Sequence, residues 1–371
     1  MNLLANPTEA VSMLKLVKSG ELVRPSLHIS VLREASTLPT NRPRGAFVNE
    51  RSSTSHYYPV FRKTERQTAP LYLAQAANAH VATAHMYIQL TDGSLILESL
   101  PHRKRMQNGI QAVVQESFSG KPKSLSGSFI ACGHEQGANY FHWHIDCLTA
   151  VIAGCSKHPV SSILCPRLSR WQRASMHHLG IAENQIIQSV EPLVTVDELI
   201  WASPLTRDQF LMTDAVLEVF SRIQHSVHQD SIKAVPEAEK IYVARVDANA
   251  RKLLNEDNLI AALKVKGYKI IVPSELTYEE QVGAFSRAKI IVGLHGAGLT
   301  NIGFAPRDCQ IIEIFPDIYL NTGFYGIVQV TKQPYYYYAK STSNGPAATS
   351  MQPAYWSIDV ADFLAAYKDL L

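Results

Sequence analysis

Three places in the chain set chemistry-bearing residues at spacings that a fold can use. The most pointed is the run VGLHGAGLTN at residues 292–301, where an apolar stretch ends in His295 and is followed by Gly296 and Gly298. Glycines at such a junction let the main chain turn and let a ligand come close to it. A helix starting there presents N–H groups and a partial positive charge, so an anion, above all a diphosphate, is the natural guest. His295 stands where it can donate a hydrogen bond to that anion, although a tight turn beside a packed histidine would use the same residues. The second place is VARVDANARKLLNED, with Arg245 at the end of a predicted strand and Asp247, Arg251, Asn255 and Glu256 after it. Arg245 or Arg251 can pair bidentately with a phosphate, while Arg251, Asn255 and Glu256 also suit the cap and first turn of a helix. Downstream, Glu313 interrupts the apolar strand QIIEIFP. A carboxylate there needs a partner, and a ligand such as a ribose diol is the expected one, ahead of a buried salt bridge. The third place is NYFHWHID, where a helix sets His142 and Asp146 four apart on one face and sends His144 elsewhere. That pair can act as base and orienter, or Asp146 can deprotonate a hydroxyl directly.

These residues need strands and helices to hold them. SFIACG, SSILCP and NQIIQSV read as short buried strands, separated by the helical stretches ANYFHWHIDCLTAVIAG, ending at Gly154, and RLSRWQRASMHHLG. After a connecting helix, DAVLEVFSRIQHSV, the alternation resumes. KIYVARV, YKIIVP, KIIVGLHG and CQIIEIFP are the strands; NEDNLIAALKVKG, YEEQVGAFSRA and the segment after Gly296 are the helices. Strand–helix alternation of this kind predicts an α/β protein of two doubly wound, Rossmann-like domains facing across a cleft, with ligands at the carboxyl ends of the strands. The joint falls within residues 204–238, giving an amino-terminal domain over 1–204 and a carboxyl-terminal one over 205–371. MYIQLTDGSLILES reads as a hairpin turning at Asp92-Gly93, the start as an amphipathic helix, the end as another, and Tyr335–Tyr338 as an aromatic strand partly facing the core. Most of the first 70 residues read as loop.

Composition excludes several classes. With 46% hydrophobic and 18% charged residues the chain is globular rather than disordered, and no apolar run approaches the roughly 20 residues that span a bilayer. Five scattered cysteines without a C-x-x-C pair, and the lack of an Asn-x-Ser/Thr sequon with x other than Pro, fit a reducing cytoplasm. A formal charge of +3 is too mild for nucleic acid and suits anionic small molecules or a peripheral membrane surface.

Taken in order, NYFHWHID, IYVARVDANARKLLNED, VGLHGAGLTNIGFAP and IIEIFP resemble glycosyltransferase family 61, inverting sugar transferases with a GT-B-like two-domain fold, over about residues 128–320. The resemblance implies a nucleotide-sugar donor, UDP-linked by family tendency, and a glycan or glycolipid acceptor. It implies that His295, Gly296, Ala297, Gly298, Leu299, Thr300 and Asn301 meet the diphosphate. Arg245, Arg251 and Glu313 would contribute to the nucleotide site, with Asn255 and Glu256 beside them, and His142 and Asp146 would line the acceptor side. Many members carry a second arginine where Val246 stands and an apolar residue where His144 stands, which weakens a two-arginine clamp and makes His144 incidental. Transfer from a nucleotide diphosphate needs the leaving group neutralised and the acceptor hydroxyl deprotonated. No Asp-x-Asp triplet is present, so neutralisation falls to a helix start, Arg245 and His295 without metal or other cofactor, and Asp146, ahead of His142, is the expected base. The expected setting is bacterial surface-polysaccharide synthesis in the cytoplasm, at the inner face of the membrane.

Two other readings stand beside this one. His142, His144 and Asp146 spell H-x-H-x-D, similar to the ligand motif of metallo-β-lactamase-like hydrolases, but Cys147 occupies that motif's next histidine position and a helix parts the two histidines. A non-catalytic nucleotide- or glycan-binding protein would keep the same fold.

Overall fold

The computed structural model describes residues 10–371 except 25–26, 54, 56, 101–110, 207–211, 228–237, 249, 345–346, 350–351 and 354. Part of the expected connecting region and the first residues of the expected opening helix lie outside the described residues. The chain forms two compact units, one of residues 1–36 and 67–219, the other of 37–66 and 220–371. Residues 37–66, read from sequence as part of the first domain, pack with the second instead, because the strand Gly45–Val48 pairs with Tyr335–Ala339.

In the first unit, Leu193–Ala202, Lys123–Ala131, Ser162–Cys165 and Ile186–Gln188 lie side by side in that order, all parallel. This is the predicted βαβ block, with apolar residues such as Ile130, Ile163 and Leu199 buried in it. The sheet continues differently. Leu71–Ala82 pairs antiparallel with Leu193–Ala202 and carries Leu27–Arg33 and the predicted hairpin strand Tyr87–Gln89. The unit is therefore a mixed sheet rather than a wholly doubly wound one. Its alanine-rich strand Leu71–Ala82 has few β-branched residues, so propensity does not announce it; pairing on both edges holds it extended.

The chain leaves Lys123–Ala131 toward Ser162–Cys165, while Leu193–Ala202 lies on the other flank. A crevice opens at the carboxyl ends of such a pair, the topological switch point of the sheet. The intervening helix starts at Tyr140, capped by Asn139 Oδ1 accepting from Phe141 N, and runs to Lys157 rather than stopping at Gly154. Gly154 is there for room: a Cβ would sit 2.8 Å from Ile130 Cγ2 on the strand beneath.

The second unit holds a six-stranded parallel sheet ordered Lys269–Ile271, Lys240–Val243, Ile290–Leu294, Gln310–Ile314, Tyr335–Ala339 and Gly45–Val48. Its central strands Ile290–Leu294 and Gln310–Ile314 are buried on both faces, which explains their continuous apolar runs. Tyr335, Tyr337 and Tyr338 are among its largest buried side chains. Helices Glu256–Val265 and Tyr278–Ser286 connect its strands, the second opened by a capping box in which Thr277 and Glu280 bond each other's backbone N–H. The switch point lies between Lys240–Val243 and Ile290–Leu294. Near the carboxyl end, Tyr355–Ile358 forms a strand before the helix Val360–Ala366, so the expected last helix is shorter than the sequence suggested. Helix Gly323–Thr331, buried through most of its length, was not anticipated.

Candidate functional site

At the first unit's switch point the helix does not stay regular. Trp143–Cys147 is a π turn, with Leu148 N reaching back to Trp143 O, and Trp143 is anchored by its indole N–H donating to Ser175 Oγ at 2.8 Å. Such turns recur at functional sites because they re-aim side chains. Here Asp146 is buried against the segment that follows Leu193–Ala202. Its Oδ1 accepts from Leu205 N at 2.7 Å and Thr206 N at 3.0 Å, and its Oδ2 accepts from Thr206 Oγ1 at 2.5 Å. His142 Nδ1 lies 3.1 Å from the same Oδ2 and 3.0 Å from Thr206 Oγ1.

Hydrogen counting fixes the tautomer. The single Thr206 hydroxyl proton goes to Asp146, so His142 Nδ1 faces two acceptors and must carry a proton. The lone pair of the neutral imidazole then sits on Nε2. Burial alone would raise the Asp146 pKa, but His134 and His142 outweigh it and hold the carboxyl far below the usual range. The sequence reading that made Asp146 the first choice as base is revised on this physical ground. A carboxylate holding this many donors is a weak base and a good orienter of the neighbouring imidazole.

One neighbour escaped the sequence reading. His134, in the loop after Lys123–Ala131, brings Nε2 to 3.3 Å from Asp146 Oδ2 and sets its ring edge-on to His142 at 5.4 Å. Its only signal was position, just past the end of a predicted strand. His134, His142 and Asp146 place potential ligand atoms within 4.8 Å of one another, the spacing of a metal site. However, Gln136 N donates to His134 Nδ1 at 3.2 Å, which puts the neutral ring's proton on Nε2, the atom that would have to ligate. A metal there would have to displace that Nε2 proton. His144 is apart from it, as its face predicted. It is buried, bonded through Nδ1 to Tyr140 O and stacked on Trp171, and burial lowers its pKa to about 4.

At the second unit's switch point, the junction after Ile290–Leu294 opens a 3₁₀ helix, Ala297–Phe304, with no side chain capping Gly296. Gly296 has an extended φ of 175°, so no turn requires glycine there. Space does: a Cβ on Gly296 would overlap the Arg245 guanidinium, and one on Gly298 would lie 2.9 Å from Pro273. The expectation of a conformational role gives way to one of close approach between main chain and arginine. Ala297 and Gly298 are the half-buried residues at the helix start. Leu299, Thr300 and Asn301 turn inward; Leu299 lies over Gly293 and Asn301 donates to Gln281 Oε1, so these three support the turn rather than face solvent.

Arg245 is held by its own backbone N–H donating to Glu256 Oε1 at 2.8 Å and by Nη2 donating to Ala250 O at 3.0 Å. Tyr242 OH shares the same Glu256 oxygen at 2.9 Å, while burial raises the Glu256 pKa. Burial, with Arg251 nearby, lowers the Arg245 pKa to about 10. Arg251 takes a left-handed φ of 54° and sets its guanidinium over the Tyr319 ring at 5.2 Å. Asn255 is committed elsewhere, both ends of its amide bonding the Ile358 backbone.

Glu313 also departs from expectation. It is fully buried, with Oε1 at 2.5 Å from His295 Nδ1 and Oε2 accepting from Tyr335 OH at 2.5 Å. A ribose cannot reach it; it orients His295. Burial pushes the Glu313 pKa well above, and the His295 pKa well below, their ordinary values, and both arginines add to the second effect. With Nδ1 held by Glu313, the His295 ring turns Nε2 to its other side, an N–H donor when the shared proton rests on Glu313.

Residues 140–312 match the family model Glycosyltransferase 61. Among curated proteins, the alpha-1,3-arabinosyltransferase XAT3 of Oryza sativa subsp. japonica is 29% identical over 104 residues, 26% of this chain and 18% of its own length. The EGF domain-specific O-linked N-acetylglucosamine transferase of Gallus gallus is 33% identical over 103 residues, 25% of this chain and 19% of its own, and that of Xenopus laevis is 32% identical over the same length and shares. The chain thus spans less than a fifth of the length of these curated relatives. The match takes in His142, Asp146, Thr206, Arg245, Arg251, Glu256 and His295 and stops one residue before Glu313, so over residues 140–312 the chain is similar to glycosyltransferase family 61.

Proposed function

We propose that the protein is an inverting, metal-independent, GT-B-like glycosyltransferase that moves a sugar from a nucleotide-diphosphate donor, a UDP-sugar, to a hydroxyl of a glycan or glycolipid acceptor. The observation that carries this reading is the His142 imidazole. Asp146 and Thr206 fix its Nδ1 proton and leave Nε2 basic, as a general base for an attacking hydroxyl requires. As the acceptor oxygen attacks the anomeric carbon, its proton passes to Nε2, and the imidazolium formed is stabilised by the ionised Asp146. The bond to the diphosphate breaks with its electron pair leaving on the phosphate oxygen. Arg245, Arg251, the His295 Nε2–H and the N–H groups of Ala297 and Gly298 are the donors that neutralise it. Arg251 supplies the second guanidinium that Val246 does not.

The relatives are named for an arabinosyl and an N-acetylglucosaminyl transfer. What they share is transfer of a sugar, and that is what we carry over; neither sugar is assigned here. A surface polysaccharide made at the cytoplasmic face of a membrane suits the mild net charge of +3, and no helix among the described residues is long and apolar enough to cross a membrane.

Thermal unfolding against a panel of nucleoside diphosphates and nucleotide sugars tests the reading. Binding at 100 times Kd should stabilise by about 2.7 kcal/mol. Arg245→Ala should erase the shift, and product should appear only with a matching acceptor. A panel in which nothing raises the Tm overturns the proposal.

A further inference from the structure

Next to Asp146 lie two thiols that sugar transfer does not use. Cys132 is the first residue past Lys123–Ala131 and is fully buried; Cys147 ends the π turn and is 2% exposed. Both are reduced. The Cys132 thiol donates to the Cys147 carbonyl oxygen at 3.9 Å, so the strand end and the π turn meet at these two residues. Cys147 also meets the His134 imidazole, and its Sγ would stand 3.5 Å from a Cβ on Gly137.

The placement matters because Cys147 is not sealed in. With His134, Asp146, Ala131, Trp201 and Pro204 it lines a small pocket open to solvent at the switch-point crevice, with room for water-sized molecules. The two sulfurs are also unequal. The neighbouring Cys132, aided by His134 and opposed by burial, lowers the Cys147 pKa, whereas the Cys132 thiol is pushed up. Cys147, which lines the pocket, is the thiol that a solute meets, and Cys132 beside it is the one that can answer it.

We propose that Cys147 and Cys132 form a hydroperoxide-reactive dithiol that closes to a disulfide and, in closing, disables the adjoining His142–Asp146 pair. The Cys147 thiolate attacks one peroxide oxygen, the O–O bond breaks, and hydroxide leaves, giving a sulfenic acid. The Cys132 sulfur then attacks the sulfenic sulfur, displacing its hydroxyl as water with the proton from Cys132. Overall, two thiols are oxidised, one peroxide is reduced, and two waters form. The new bond draws Cys147 toward Cys132. Asp146 is joined to Cys147 through the chain and held to Leu205 and Thr206, so it cannot follow without losing hydrogen bonds.

The loss of activity rests on the transferase reading; the cross-link does not, so the experiment reads them separately. The protein is treated with hydrogen peroxide, capped with an alkylating reagent, and digested at Lys and Glu without reduction. Because cleavage at Glu135 parts Cys132 from Cys147, a disulfide holds 124–135 to 136–157, and fragmentation separates Cys147 from Cys155. The expected result is a Cys132–Cys147 link lighter by two hydrogens, with transfer lost on oxidation and restored by dithiothreitol. Cys132→Ser should stop the reaction at a dimedone-reactive Cys147, and Cys147→Ser should leave Cys132 unmodified. Peroxide that leaves both thiols alkylatable, or that oxidises the more exposed Cys155 instead, overturns the proposal. A link that forms without loss of transfer overturns its switching role.

Discussion

Replacing Asp146 by Asn separates an orienting carboxylate from a catalytic base. The carboxylate receives Leu205 N and Thr206 N on one oxygen and Thr206 Oγ1 and His142 Nδ1 on the other. An asparagine that keeps the two amides on its oxygen turns its NH₂ toward the hydroxyl and the imidazole. Thr206 can rotate to accept from it. The imidazole can meet it only by giving up its Nδ1 proton, which moves to Nε2, the atom that has to be basic. Two hydrogen bonds to a charged acceptor, about 1.5–3 kcal/mol each, are lost and about 1 kcal/mol is recovered through Thr206, a net cost of roughly 2–5 kcal/mol. The same tautomer error in a Ser–His–Asp triad lowers kcat about 10⁴-fold, so a fall of roughly 10³- to 10⁴-fold is expected here. Nucleotide affinity should not change, because every proposed donor contact belongs to the other unit. The sign of the pH dependence follows from the depressed Asp146 pKa. Its stabilisation is fully present above the unfolded value of about 3.9 and declines by about 1.4 kcal/mol per pH unit as the pH falls below it. Initial transfer rates, nucleotide titration calorimetry and urea unfolding of both proteins make the test. A variant that turns over within tenfold of the parent refutes the orienting role.

Gly296→Ala should weaken nucleotide binding by about tenfold, near 1.4 kcal/mol, because the new methyl displaces the Arg245 guanidinium while the extended backbone tolerates alanine; calorimetry with UDP reads it. Glu313→Gln should fold within about 1 kcal/mol of the parent, since the amide reproduces a neutral carboxyl's bonds to His295 and Tyr335, whereas Glu313→Ala should cost about 3 kcal/mol. As a carboxyl with a raised pKa, Glu313 stabilises fully below its unfolded value of about 4.3 and less as pH rises, so the parent should lose ground to the Gln variant from there upward in urea unfolding. Prolonged EDTA treatment should leave turnover unchanged, and a chelator-sensitive rate restored by zinc or manganese would make His134, His142 and Asp146 metal ligands instead.

The fold was legible where burial leaves a pattern in the sequence. Short apolar runs such as SILC and IIVGL are buried on both faces, and the glycine at the end of Glu256–Val265 takes the left-handed φ of 81° that its position predicted. It was illegible where pairing, not pattern, decides. Leu71–Ala82 is extended because strands flank it on both sides, and Gly45–Val48 is a strand because Tyr335–Ala339 offers it an edge; neither fact is local. The reassignment of residues 37–66 follows from the same cause.

The site shows a finer version of that division. Sequence spacing brought His142 and Asp146 to one helical face and excluded His144, because a four-residue interval is nearly all the geometry that pair needs. It could not rank them as bases. That ranking depends on Thr206, 60 positions away, whose one hydroxyl proton decides where the imidazole keeps its own. The same logic governs the second cluster. A carboxylate in an apolar strand was correctly read as needing a partner, but the partner is His295 with Tyr335 rather than a ribose. Composition states that a buried charge must be answered; only the neighbouring strand, which supplies Tyr335 in register with Ile311, says by what. Glu313 and Asp146 therefore occupy the same position in the chemistry of their units. Each holds one nitrogen of a histidine and so sets what the other nitrogen can do; in the transfer proposed above, His142 would take a proton on Nε2 and His295 would donate from its own.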